Sequence, residues 1–142
     1  MLAIVTYLAG ILALCGAFHS APSVLADSVA PRQESDHIYQ WTCGLHRKAA
    51  IKYRVQEGID YLHKLSGTPE NGANSCGRVS CSYDAAIIWC NNTTEPMKTT
   101  WEKIAKGAQF LVDHCPTEDD RGVEGRARYS DHWEVRVYAD SC

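Results

Sequence analysis

From His37 onward the apolar positions change period along the chain, and each change marks an element. His37–Gly44, HIYQWTCG, sets Tyr39, Trp41 and Cys43 against Ile38, Gln40 and Thr42, which predicts a first strand with one aromatic face. Over Arg47–Leu65 the repeat becomes helical: Ile51, Val55, Ile59 and Leu62 form one stripe, flanked by Ala50 and Gly58, small enough for close packing on a sheet. Ser66–Cys76, rich in Gly, Pro and Asn, reads as a loop. Gly77–Asn92, GRVSCSYDAAIIWCNN, holds the densest apolar run. Arg78–Ser82 alternates, Tyr83-Asp84 suits a bend or a bulge, and Ala85–Cys90 reads as a strand buried on both faces. Whether this is one bulged strand or two stays open at this level.

Thr99–Cys115 carries the strongest helical pattern, with Trp101, Ile104, Ala105, Ala108, Leu111, Val112 and Cys115 on one face. Thr99 and Glu102 have the spacing of a capping box, and Pro116 stops the helix. After the acidic turn Thr117–Gly122, Val123–Ala139 reads as a β-hairpin with its tip at Tyr129–His132. In its second strand Trp133, Val135, Val137 and Ala139 alternate with Glu134, Arg136, Tyr138 and Asp140. Two helices with one apolar face each, among strands, predict an α+β fold: a mainly antiparallel sheet with both amphipathic helices on one side, forming an α/β sandwich stapled by disulfides.

The 142 residues suit one domain, placed at 37–142. A formal net charge of −3 with scattered basic residues argues against a nucleic-acid footprint or a polybasic membrane patch. Residues 2–18 are apolar and uncharged. They read as the core of a signal peptide spanning 1–26, with Val24-Leu25-Ala26 as cleavage pattern and Ala17 as a second cut. A retained anchor is the weaker alternative, because the run is short for a span and lacks basic flanks. The polar stretch 27–36 reads as a flexible arm.

Of the seven cysteines, Cys15 falls in the signal region. Cys43, Cys76, Cys81, Cys90, Cys115 and Cys142 remain, an even set that reads as three disulfides in an exported domain. Fifteen pairings are open, a local Cys76–Cys81 bridge among them. No metal is expected: there is no C-x-x-C pair, and His114 beside Cys115 is not a ligand spacing. Asn91 and Asn92 head two overlapping glycosylation sequons, Asn91-Asn92-Thr93 and Asn92-Thr93-Thr94.

No nucleophile elbow, zincin motif or phosphate loop is present, and no cofactor is expected. A ribonuclease would need a base, an acid and a phosphate-binding cation. Candidates are His37 or His132, Glu124 or Glu134, and Arg126, Arg128 or Arg136, with Arg126, Arg128 and Glu124 expected on one strand face and Glu134 with Arg136 on another. A solvated hairpin face gives the same pattern, and the expectation is a protein that is not an enzyme.

Three stretches carry a resemblance: GRVSCSYDAAIIWCNN, the W-x-x-I-A-x-x-A-Q helix from Trp101 to Gln109, and the ending W-x-V-x-V-x-A-D-S-C. Together they resemble small secreted cysteine-rich effector proteins of filamentous fungi. The opening Tyr39–Gly44 also looks like the start of ribonuclease-like fungal effectors. In architecture the chain is similar to the α/β-sandwich killer toxins encoded by viruses of smut fungi, although the acidic balance and the ending Tyr138–Ser141 depart from basic toxins. The resemblance implies a secreted fungal protein acting outside the cell, on a plant host or a microbial competitor, and it carries over no catalytic residues. Export, three expected bridges and the absence of a catalytic motif then point to binding of an extracellular host protein in the apoplast, most concretely inhibition of a secreted plant protease, by a monomer with no membrane anchor after signal cleavage. An antimicrobial or killer-type toxin is the alternative and a ribonuclease-like effector the second. The expected contact surfaces are the loop Ser66–Ala73 and the hairpin tip, with Tyr129, Asp131, His132 and Trp133 as the partner-binding residues.

Overall fold

The computed structural model describes residues 37–142; the expected signal peptide (1–26) and arm (27–36) lie outside the described residues. The elements are β1 (Ile38–Cys43), β2 (Ala50–Ile51), α1 (Lys52–Leu62), β3 (Glu70–Asn71), β4 (Ser75–Ser82), β5 (Ala85–Asn91), β6 (Met97–Lys98), α2 (Trp101–His114), β7 (Gly122–Val123), β8 (Gly125–Tyr129) and β9 (Trp133–Ala139). Five strands form one antiparallel sheet in the order β1-β8-β9-β5-β4. Two short ladders, β2 with β7 and β3 with β6, tie the flanking loops. The fold is α+β, with two helices, a mainly antiparallel sheet and three disulfides.

Both helices cover one face of the sheet. Val55, Ile59 and Leu62 of α1 and Ile104, Ala108 and Leu111 of α2 join Ile87, Trp89, Ala127, Val135 and Val137 in one buried cluster. Close approach is built into the sequence at two glycines. A Cβ on Gly58 would stand 2.7 Å from the Ser80 hydroxyl, and one on Gly107 would stand 2.8 Å from both the Tyr129 hydroxyl and a Val135 methyl. Ile51, expected in the α1 stripe, is instead exposed. It occupies the N-cap in an extended conformation, because Ala50–Ile51 pairs with β7 before the helix begins. α1 therefore starts at Lys52 rather than Arg47.

The stretch 77–92 resolves into two strands. β4 and β5 are joined by the two-residue turn Tyr83-Asp84, both with positive φ (50° and 61°), as the tight twist of a two-residue hairpin requires. β4 is bulged between Arg78 and Ser80. Every residue of β5 is buried: Ala85, Ile87 and Trp89 under the helices, and Ala86, Ile88 and Cys90 in a smaller cluster with Tyr138 on the opposite face. α2 begins one residue later than its capping box implied. The hydroxyl of Thr100, not Thr99, accepts the Lys103 N–H. Thr99 is at the edge of burial with its own N–H donated to the Pro69 carbonyl, and Glu102 turns to His63 and Lys106.

The six cysteines pair as Cys43–Cys115, Cys76–Cys90 and Cys81–Cys142. The first ties the end of β1 to the end of α2. The second joins directly opposed residues of β4 and β5, which excludes the local Cys76–Cys81 bridge. The third fastens the segment after β9 to β4. Among the described residues no helix is long and apolar enough to cross a membrane, and no group of three or more His, Cys, Asp or Glu side chains could hold a metal ion.

Candidate anion-binding face

The face of the sheet away from the helices is divided. Under β5 and the end of β9 it is apolar, with Ala86, Ile88, Cys90 and Tyr138 packed against Leu45 and Cys81. Toward β1 it becomes a lattice of charge. The β8–β9 register sets Arg128 opposite Glu134 and Arg126 opposite Arg136, and the β1–β8 register sets Gln40 opposite Arg128. Residues opposed in an antiparallel pair share a face. The four charged residues of the two strands, Arg126, Arg128, Glu134 and Arg136, therefore stand together, which corrects the expectation that Arg126 and Arg128 lie on one face and Glu134 with Arg136 on another. Glu124, the other carboxylate considered, accepts the Arg47 backbone N–H and lines a different depression, beside Cys43 and Cys115.

Glu134 is the centre of the lattice and is only 1% exposed. One carboxylate oxygen accepts the Arg128 Nε–H at 3.0 Å and lies 3.9 Å from Arg126 Nε. The other accepts from Arg136 Nε at 2.5 Å and also contacts its Nη2. Arg128 donates a further N–H to Gln40 Oε1 at 3.1 Å. A lone buried carboxylate would be expelled or neutralised; three guanidinium groups make burial tolerable. In return, the carboxylate fixes the long side chains of Arg128 and Arg136 by hydrogen bonds and draws Arg126 toward them by charge alone, where each would otherwise sample many rotamers. Each arginine has five N–H donors, and Glu134 takes only part of that set. The three arginine side chains remain partly exposed, between 26% and 36%, so the site presents preset donors and an excess of positive charge to solvent. Two further arginines flank it on the same side of the sheet: Arg47 lies over the Tyr138 ring at 4.4 Å, and Arg78 donates to the Ser141 carbonyl at 2.6 Å and pairs with Asp140.

At one end the lattice opens into a depression of about 220 Å³ lined by Tyr39, Asn92, Arg128, His132, Glu134 and Arg136, among others. His132 is exposed at the β8–β9 turn with φ 64°, and its carbonyl accepts the Asn92 backbone N–H. His37, the other histidine considered, does not line this depression.

Of the four residues expected to bind a partner at the hairpin tip, two are withdrawn into the core. Tyr129 and Trp133 are each 2% exposed and stack on each other, with centroids 3.7 Å apart and planes 6° from parallel. Both point to the helix side, where the alternation of β8 and β9 sends them. Asp131 and His132 remain exposed. The loop Ser66–Ala73 is exposed at its tip but held along its length. The Trp101 indole N–H donates to the Ser66 carbonyl, and the buried Asn91 carboxamide donates to the carbonyls of Asn71, Gly72 and Glu95.

This arrangement can hold an anion by several charge-assisted, directional hydrogen bonds. Both Glu134 oxygens already accept from guanidinium N–H groups, and the side chain, although it lines the depression, is 1% exposed. Compared with models of protein families, with curated proteins and with solved structures, the chain matches none of them.

Proposed function

We propose that this chain is an exported, non-catalytic binding protein that grips an acidic surface of an extracellular protein through the arginine lattice around Glu134. One observation carries the reading: in a chain with net charge −3, three arginines converge on one face and are held there by a buried carboxylate. Arginine suits this role, because its planar fork matches carboxylate geometry and keeps its charge. Three disulfides support an oxidising route and a scaffold that loses little freedom on binding. A secreted host protease is one partner of this type, and the held loop Ser66–Ala73 supplies a rigid segment near which such a partner would sit.

The test is binding of the purified protein to a polyglutamate peptide at low salt, beside Arg126→Gln/Arg128→Gln. Native protein should bind, with affinity falling as salt rises, and the double variant should lose about tenfold or more. Equal binding by both forms overturns the reading. Papain-like and serine proteases assayed with micromolar protein decide the inhibitor form, which requires inhibition that the double variant loses. A ribonuclease predicts cleavage of RNA, and it gains one supporting observation: His132 shares its depression with Arg128 and Arg136. RNA cleaved by native protein but not by His132→Ala would replace the binding reading.

A further inference from the structure

The two overlapping sequons are equivalent as sequence and opposite as structure. Asn91 is 1% exposed. Its Nδ2 donates to the carbonyls of Glu95 (2.7 Å), Gly72 (2.9 Å) and Asn71 (3.3 Å), while its Oδ1 accepts the Thr93 N–H (2.9 Å) and the Thr93 hydroxyl (2.8 Å). That one carboxamide joins the ends of β3, β5 and the loop to β6. A sugar on its nitrogen would replace a hydrogen that the fold uses, and would need room where there is none. Asn92, one residue on, is exposed and engages the fold through its backbone N–H, which donates to the His132 carbonyl. It lines the depression formed by Arg128, His132, Glu134 and Arg136.

We infer that Asn92 alone is the N-glycosylation site of the folded protein, and that its glycan stands at the rim of the arginine depression and restricts access to it. The modification is a group transfer from a lipid-diphosphate-linked oligosaccharide. The Asn92 amide nitrogen forms a bond to C1 of the first sugar, the C1–oxygen bond to the diphosphate breaks, the lipid diphosphate leaves with that electron pair, and the amide proton passes to a base of the transferase. Transfer precedes folding, so both asparagines are chemically open at that moment. A chain modified at Asn91 cannot then close the β3–β5 junction, so among modified chains those that fold and leave the secretory route carry their glycan on Asn92, while an unmodified chain folds as well. The glycan is neutral bulk beside fixed positive charge: it leaves the guanidiniums charged but narrows the approach to them. This second step rests on the arginine lattice being the partner-binding face; the placement of the glycan does not.

The experiment uses the full chain secreted from a yeast host, with glycopeptide mass spectrometry. The expected result is glycan on Asn92 and none on Asn91. Asn92→Gln and Thr94→Ala, which destroys only the second sequon, should each yield unglycosylated folded protein. Thr93→Ala keeps the second sequon and should keep the glycan. Glycan on Asn91 of secreted protein, or secreted protein bare at Asn92, overturns the assignment. The access step is read by polyglutamate binding of the glycosylated protein against Asn92→Gln, which preserves charge. At least tenfold tighter binding by Asn92→Gln supports it; equal binding overturns it while the assignment stands. Binding by neither form marks failure of the arginine-face reading itself, since removal of the glycan would then expose nothing.

Discussion

β9 runs through the middle of the sheet and presents a different chemistry on each side. Toward the helices it offers Val135 and Val137, fully buried among aliphatic neighbours. Toward the open face it offers Glu134 and Arg136, the first as buried as the valines. The two sides reach similar burial by different means. The helix side removes water by shape, with glycines at 58 and 107 allowing the helices to settle on the sheet. The open side removes water from one carboxylate only, by surrounding it with arginine side chains that stay about a third exposed. A dry core is indifferent to which apolar residue fills it, within volume limits. A buried ion with three counter-ions is not, because removing any partner leaves the others without their compensation.

That contrast can be broken most directly at Glu134. Glu134→Ala leaves three crowded arginines without their anion and should cost about 2–3 kcal/mol, less than for a fully buried pair because the arginines stay about a third exposed, read from urea unfolding. A loss below about 1 kcal/mol would mean that the lattice is solvent-screened like any surface cluster, and the distinction between the two sides would fail. The helix side is tested by crowding. Gly107→Ala gains helix propensity of about 1 kcal/mol but drives a methyl into Val135 and the Tyr129 hydroxyl, and should still destabilise by a net 1–2 kcal/mol. Thr100→Ala should cost about 1 kcal/mol through the lost cap on α2. An unchanged midpoint would hand the capping role to Thr99.

Smaller effects come from the periphery. His63, just beyond α1, bonds Glu102 on α2 at 2.6 Å, and this bond, followed by the His63 and Lys106 charges, holds the Glu102 carboxyl below its ordinary value. A depressed carboxyl contributes stability that is complete above its unfolded-state value and is lost as pH falls through the folded one. The protein should therefore weaken slightly in that acid window, and His63→Ala should flatten this part of the curve. Both groups are exposed by about half, so solvent screening keeps the difference under about 1 kcal/mol. Asp84→Gly relieves a positive φ in the β4–β5 turn and should stabilise by about 0.5 kcal/mol, seen as a small rise in Tm.

Much of the fold was legible because its signals are local. The stripe of α2, the alternation of β9 and the doubly buried run of β5 each follow from side-chain period, and each element appears within two residues of its expected bounds. The misses occur where a distant partner decides. Nothing near Ile51 says that it will pair with Gly122 rather than start a helix. Thr99 and Thr100 are equally good caps until Pro69 claims the Thr99 N–H. The lattice was hidden for the same reason. Arg126, Arg128, Glu134 and Arg136 were each noted, but their common face depends on the register across the Ser130–His132 turn, where a one-residue slip would reverse every assignment. The burial of Tyr129 follows from that same register, whereas that of Trp133 was already readable in its alternation with Val135 and Val137.

The face that Glu134 assembles contains guanidinium groups and no lysine or histidine within the lattice itself. Guanidinium keeps its proton across the range in which folded proteins work. In the contact proposed above, a partner therefore meets donors of fixed charge. Any loosening in acid is apportioned by comparing native protein with His132→Ala, because His132 lines the same depression as Arg128 and Arg136; what survives that substitution belongs to the carboxylates on the two sides of the contact.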